Sequence, residues 1–167
     1  MRKLLVILVA VLLCSWAKLA LAEDFKLGFV SLKKVLDDYK KVTDGEDALM
    51  KELESKNQEK EKLVKEVKNL REKIDLLKDK QKEKKQKELD EKVKKLQDFT
   101  YQTRTSLRQD RDEKFMEIMK EVKDVIDEYG QSRKYNIIID DTLLLYKVDS
   151  LDVTEDVIKM LNQRYKK

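Results

Sequence analysis

The chain is 167 residues long and 43% charged, with 38 Lys and Arg against 34 Asp and Glu, no histidine, no proline, one cysteine and one tryptophan. That inventory leaves no Ser-His or Cys-His pair and no histidine-ligated metal site, and its three glycines form no phosphate-cradling loop. Catalysis, ATP hydrolysis and disulfide stapling are set aside, no cofactor is expected, and the candidate sites are surfaces.

Arg2 and Lys3 precede an apolar run from Leu4 to Leu13, and Ala20-Leu21-Ala22 is a small-x-small cleavage motif. This is the pattern of a secretory signal over residues 1–22, and the run is too short for a permanent span, which needs about 20 residues. Ser15-Trp16-Ala17 offers a second cleavage site, so cleavage after Ala17 or after Ala22 stays open. Cys14 follows the large Leu13, where lipid attachment wants a small residue. Cleavage after Ala22 leaves 35 basic and 34 acidic residues, without the cysteine or the tryptophan.

Lys26 to Val30 alternates in the manner of a short strand. Ser31 is placed to cap a helix whose apolar face is Leu32, Val35, Leu36 and Tyr39. Thr43-Asp44-Gly45-Glu46 reads as a turn. From Glu46 to Tyr129 there is neither glycine nor proline, and Leu63, Val67, Leu70, Ile74 and Leu77 set up a heptad-like stripe that resumes through Leu89, Val93, Leu96, Phe99, Thr103 and Leu107. The interval Lys78–Glu88 has no apolar residue. A fold-back there would pair two antiparallel helices of about 60 Å, and a single helix of about 125 Å is the alternative.

Phe115, Met116, Ile118, Met119, Val122, Val125, Ile126 and Tyr129 form a wider apolar band than a two-helix seam needs, so this end is expected to meet a core, with Gly130 as its C-cap. Tyr135–Ile139 reads as a buried strand, Asp140-Asp141 as a turn, and Leu143–Tyr146 as a second strand. Asp152-Val153-Thr154-Glu155 has capping-box spacing ahead of a last helix that packs through Val157, Ile158 and Leu161. The expected class is α+β, predominantly α: a helical-hairpin arm over residues 46–129, with its tip near 78–88, on a small base assembled from 25–45 and 130–167. A base of that size with exposed strand edges is marginal alone, and oligomerisation is its remedy.

The order of these elements, with Leu27-Gly28-Phe29-Val30, Tyr135-Asn136-Ile137-Ile138-Ile139-Asp140-Asp141 and Asp152-Val153-Thr154-Glu155-Asp156-Val157-Ile158, resembles the Skp/OmpH family of periplasmic chaperones. The resemblance implies a jellyfish-like homotrimer whose strands share a β core, with Phe29, Ile137, Ile138 and Ile139 as core candidates. It implies a periplasmic, ATP-independent holdase that keeps unfolded outer-membrane proteins in a cavity between its arms, and no enzyme. Family members are often strongly basic, whereas this mature chain is close to neutral, so no lipopolysaccharide site is carried over.

Phe99, Tyr101, Leu107 and Met116 are the candidate client contacts; most belong to the seam by spacing, and Tyr101, two residues from Phe99, is the best placed to leave it. Lys78, Lys80, Lys82, Lys84, Lys85 and Lys87 form a basic tip, either a solvated end or a contact for an anionic membrane surface. Export removes nucleic acid as a partner. The rival reading is a structural coiled-coil spacer of the cell envelope that binds no client.

Overall fold

In a computed structural model of the chain, residues 25–166 are described, the side chains of Asp79 and Lys80 excepted. The expected signal, with Cys14 and Trp16, lies outside them. Strand β1 (Leu27–Val30) is followed by helices α1 (Leu32–Asp38), α2 (Lys40–Asp75) and α3 (Asp79–Arg133), strand β2 (Ile137–Asp140), two 3-10 turns (Asp141–Leu143 and Asp149–Leu151) and helix α4 (Thr154–Tyr165).

The arm is a hairpin. Its outgoing helix α2 has 36 residues and its returning helix α3 has 55, which at 1.5 Å per residue makes about 54 Å out and about 82 Å back. The surplus length of α3 runs into the base. There Ile118, Val122, Val125 and Tyr129 bury against Val30, Val35 and Tyr39 from the N-terminal segment and Val153, Val157, Ile158 and Leu161 around α4. The wide apolar band of the sequence makes this contact from Ile118 onward, while its first residues, Phe115 and Met116, stay exposed.

Strands β1 and β2 are parallel, registered from Leu27 with Ile137 to Val30 with Asp140. A parallel pair needs a crossover, and here the crossover is α1 with the entire arm. The other edge of β1 bonds the chain ahead of α4: Phe29 bridges Asp152, and the Val153 amide donates to the Phe29 carbonyl at 2.9 Å. β1 is therefore flanked on both sides, while β2 is an edge strand.

Several local expectations are corrected. The turn at Thr43–Glu46 is absent, because α2 already begins at Lys40 and passes through Gly45. The break falls at Tyr39, extended at φ −80°, ψ 113°, and is held from afar: Asn162 accepts from the Lys40 amide at 2.9 Å and donates to the Asp38 carbonyl at 3.1 Å. Gly130 does not end α3. Lys134, at φ 58°, does, its amide reaching the Gln131 and Gly130 carbonyls while Tyr135 N–H donates to Gly130 at 2.9 Å, the Schellman type of closure on a residue other than glycine.

Leu143–Tyr146 forms no strand; both edges of β1 are taken, and the segment follows a 3-10 turn as irregular chain without pairing to the open edge of β2. The capping box is not formed: Val153, not Asp152, stands at the N-cap of α4 without a side-chain cap, Asp152 accepts from the Thr154 amide at 2.8 Å, and Glu155 bonds Lys34 of α1. Ser31 stands at the N-cap of α1 without a side-chain cap, its own amide donating to the buried Thr154 Oγ1 at 2.9 Å. The tip turn lies at residues 76–78, and Lys82–Lys87 belong to the first turns of α3.

Candidate functional site

At the root, where arm meets base, Tyr39 donates its hydroxyl to Glu121 at 2.8 Å and Lys41 bonds both Glu117 (2.7 Å) and Glu121 (2.6 Å). Burial, with Glu121 beside it, pushes the Tyr39 phenol up to about 12. Burial opposes the charge of Glu121, yet the bonds from Lys41 and Tyr39 outweigh it and hold its carboxyl below the usual value. Nearby, Tyr129 donates to Asp156 at 2.6 Å and stacks on Tyr135 with centroids 5.7 Å apart. These groups tie the α1–α2 junction, α3 and α4 into one body. Every buried side-chain nitrogen or oxygen among the described residues is hydrogen-bonded, no acid cluster there could hold a metal, and no helix there is long and apolar enough to cross a membrane.

The seam of the arm is dry only at its ends. Leu70, Ile74 and Leu89, with Val67 and Val93, make a small distal core. Along α2 no residue between Tyr39 and Leu70 is buried, and along α3 none between Leu89 and Ile118. The middle is half-buried Leu49, Glu52, Lys56 and Leu63 against Leu96, Phe99, Thr103 and Leu107, with the Lys56 ammonium 5.8 Å from the Phe99 ring centre.

Of the four client-contact candidates, Phe99 and Leu107 thus lie in the seam, whereas Tyr101 and Met116 are each 73% exposed. Met50, Leu53, Val64 and Phe115 are also exposed. Reading along the stripe misses them; looking one position beyond each seam residue would have found them.

At the tip, Leu76 is 87% exposed in the turn itself. Lys85 pairs with Glu88 at 2.5 Å and Lys87 with Glu83 at 3.6 Å, whereas Lys78, Lys82 and Lys84 are exposed without an ion pair among the described residues. The Lys80 side chain lies outside those residues.

The base places its candidates unequally. Phe29 is buried within the single chain, Ile138 packs against the main core, Ile139 is half-buried, and Ile137 is exposed on the edge strand. Beyond β2, Leu143, Leu145, Tyr146 and Val148 are all exposed, and Lys147, paired with Asp141 at 2.6 Å, sits 4.8 Å over the Phe29 ring. An apolar edge continuous with an apolar loop invites a further chain.

A family profile described as "Outer membrane protein (OmpH-like)" matches residues 26–161, from the start of β1 into α4. Among solved structures, the fold is similar to a crystal structure from Caulobacter crescentus CB15 described as an OmpH-like outer membrane chaperone, with TM-score 0.77 and 14% identity over 84% of this chain and 85% of that one. Among curated proteins, none matches.

Proposed function

Because the chain belongs to the OmpH-like family, we propose that it is a periplasmic holdase chaperone that acts without ATP. The observation that carries the reading is the arm: a hairpin of about 54 Å exposing Met50, Leu53, Val64, Tyr101, Phe115 and Met116 among charged residues. Scattered apolar contacts on a solvated wall hold an unfolded outer-membrane β-barrel chain weakly at many points and keep its strands apart. A tighter folding partner then removes it by competition, and no enzymatic step is involved.

In this reading residues 25–45 and 130–167 are a trimerisation base and residues 46–129 the arm. The exposed edge of β2 with Leu143, Leu145, Tyr146 and Val148 supports assembly through the base, and three arms then enclose the client. The unpaired tip lysines support contact with an anionic membrane surface.

The test is dilution of a urea-unfolded outer-membrane β-barrel chain into buffer with and without the purified protein, followed by light scattering. The expected result is suppression of scattering at about one trimer per client, with sedimentation reporting the trimer. Scattering that is unchanged at a several-fold excess of protein would leave a spacer without client binding.

A further inference from the structure

In a right-handed helix each residue is turned about 100° from the one before it. When two helices pair antiparallel, both the chain direction and the inward-facing side are reversed, and the two reversals cancel. Residues that follow a seam residue on either helix therefore project to one side of the hairpin, and residues that precede one project to the other.

Met50 follows Leu49, Leu53 follows Glu52, Val64 follows Leu63 and Tyr101 follows Thr100, all seam residues by their half-buried state. Phe115 holds the same place where the seam passes Lys114 between Asp110 and Ile118. Apart from Met116, every large apolar side chain exposed between root and tip thus lies on one flank. Met50 to Val64 alone covers about 21 Å of it.

The arginines follow the same rule. Arg71, Arg104, Arg108 and Arg111 follow Leu70, Thr103, Leu107 and Asp110, and they are all the arginines of the arm. Arg108 and Arg111 share the single carboxylate of Asp112, at 3.8 and 3.2 Å, and Arg104 makes no ion pair among the described residues. The opposite flank, through Ala48, Lys51, Ser55, Lys95, Asp98 and Gln102, exposes no large apolar side chain. Lysine and glutamate occur all round; arginine and exposed tyrosine, phenylalanine, leucine and valine do not.

Arginine, aromatics and methionine are the residues that interfaces concentrate, because each combines apolar area with a directed polar or cationic group. We propose that this flank is the binding face of the arm, and that its partner is an extended polypeptide carrying both apolar side chains and carboxylates. A strand-like segment fits it, since its alternating side chains can set apolar groups against Leu53, Tyr101 and Phe115 while carboxylates meet the arginine row. The inference rests on the holdase reading and adds which side of the arm the client occupies.

The experiment places a photo-crosslinking amino acid at four exposed polar positions of the full chain: Asn57 and Gln97, which follow Lys56 and Leu96 on the proposed face, and Ser55 and Gln102, which precede Lys56 and Thr103 on the other. The probe is a urea-unfolded outer-membrane β-barrel chain of net negative charge, with scattering read in the same mixtures. Asn57 and Gln97 should give several-fold more client adduct than Ser55 and Gln102, and Arg104→Gln with Arg111→Gln should reduce that adduct at low salt. Equal yields from the two flanks, with scattering still suppressed, overturn the binding face and leave the holdase reading standing. Adducts between protomers from Asn57 and Gln97 without client overturn it in favour of arm-to-arm contact. Unsuppressed scattering by the wild type overturns the holdase reading itself.

Discussion

Gly28 on β1 is the position where the base has least room. A Cβ built there would lie 2.8 Å from Tyr135 Cε1, 3.1 Å from its Cδ1 and 3.4 Å from Val153 Cγ1. The ring cannot swing away freely, since it stacks on Tyr129 at 5.7 Å and carries the Lys26 ammonium 4.1 Å from its centroid, while Tyr129 is itself fixed by Asp156 at 2.6 Å. Gly28→Ala therefore forces overpacking, which costs about 1–3 kcal/mol, and its only relief is to give up a stacked pair worth about 0.5–1.5 kcal/mol. At about 2–4 °C per kcal/mol for a chain of this size, the midpoint of thermal unfolding should fall by about 2–12 °C, read by circular dichroism at fixed protein concentration. The control is Tyr135→Leu: with the ring gone, adding Gly28→Ala should cost under about 0.5 kcal/mol, a double-mutant coupling of about 0.5 kcal/mol or more. An unchanged midpoint for the single variant, or additive losses in the pair, would refute the argument that ring and strand are in contact.

Stability should have two pH limbs set at the arm root: Glu121, held low, contributes above its ordinary value of 4.5 and loses that contribution as pH falls below it, and Tyr39, held high, contributes below pH 10 and loses it as pH rises toward about 12. Lys41→Met should flatten the acid limb, which urea unfolding at pH 3–7 would check. Hydrogen exchange should be faster at residues 52–62 and 96–107 than at 66–75 or 117–130, because no buried residue protects the middle of the seam; uniform protection would contradict a seam dry only at its ends. Replacing Lys80, Lys82, Lys84, Lys85 and Lys87 by Gln should leave helicity intact and lower binding to anionic vesicles at low salt, with client scattering unchanged. Equal vesicle binding would make the tip a solvated end.

The fold was legible wherever its cause is local. Apolar spacing alone gives the seam from Leu63 to Leu107 and the wide band that enters the base, and the apolar-free interval after Leu77 places the fold-back within a few residues of the turn at 76–78. It was not legible where the cause is remote. Nothing near Tyr39 announces a break, because the groups that satisfy the interrupted backbone belong to Asn162, more than 120 residues on. Gly45 and Gly130 looked like the natural stops, yet glycine costs a helix only about 1 kcal/mol, and packing at either end overrides it. Leu143–Tyr146 carries strand-like residues but pairs with neither strand of the chain, although the outer edge of β2 is open.

The candidate site divides along the same line. Tyr101 could be picked out from the stripe because its offset from Phe99 needs only one helix. Met50, Leu53, Val64 and Phe115 lie on two helices, and their common flank exists only once those helices run antiparallel with a known register, marked by Lys92–Glu66 at 2.7 Å and Lys41–Glu117 at 2.7 Å. A seam of half-buried Glu52, Lys56 and Thr103 is poor packing for stability alone. The arm places Met50, Leu53, Tyr101 and Phe115 one step outside that seam, where they contribute little to holding the helices together. Apolar area withheld from a seam that could use it is hard to explain by the hairpin's own stability, and it is the arrangement that a surface for a partner requires.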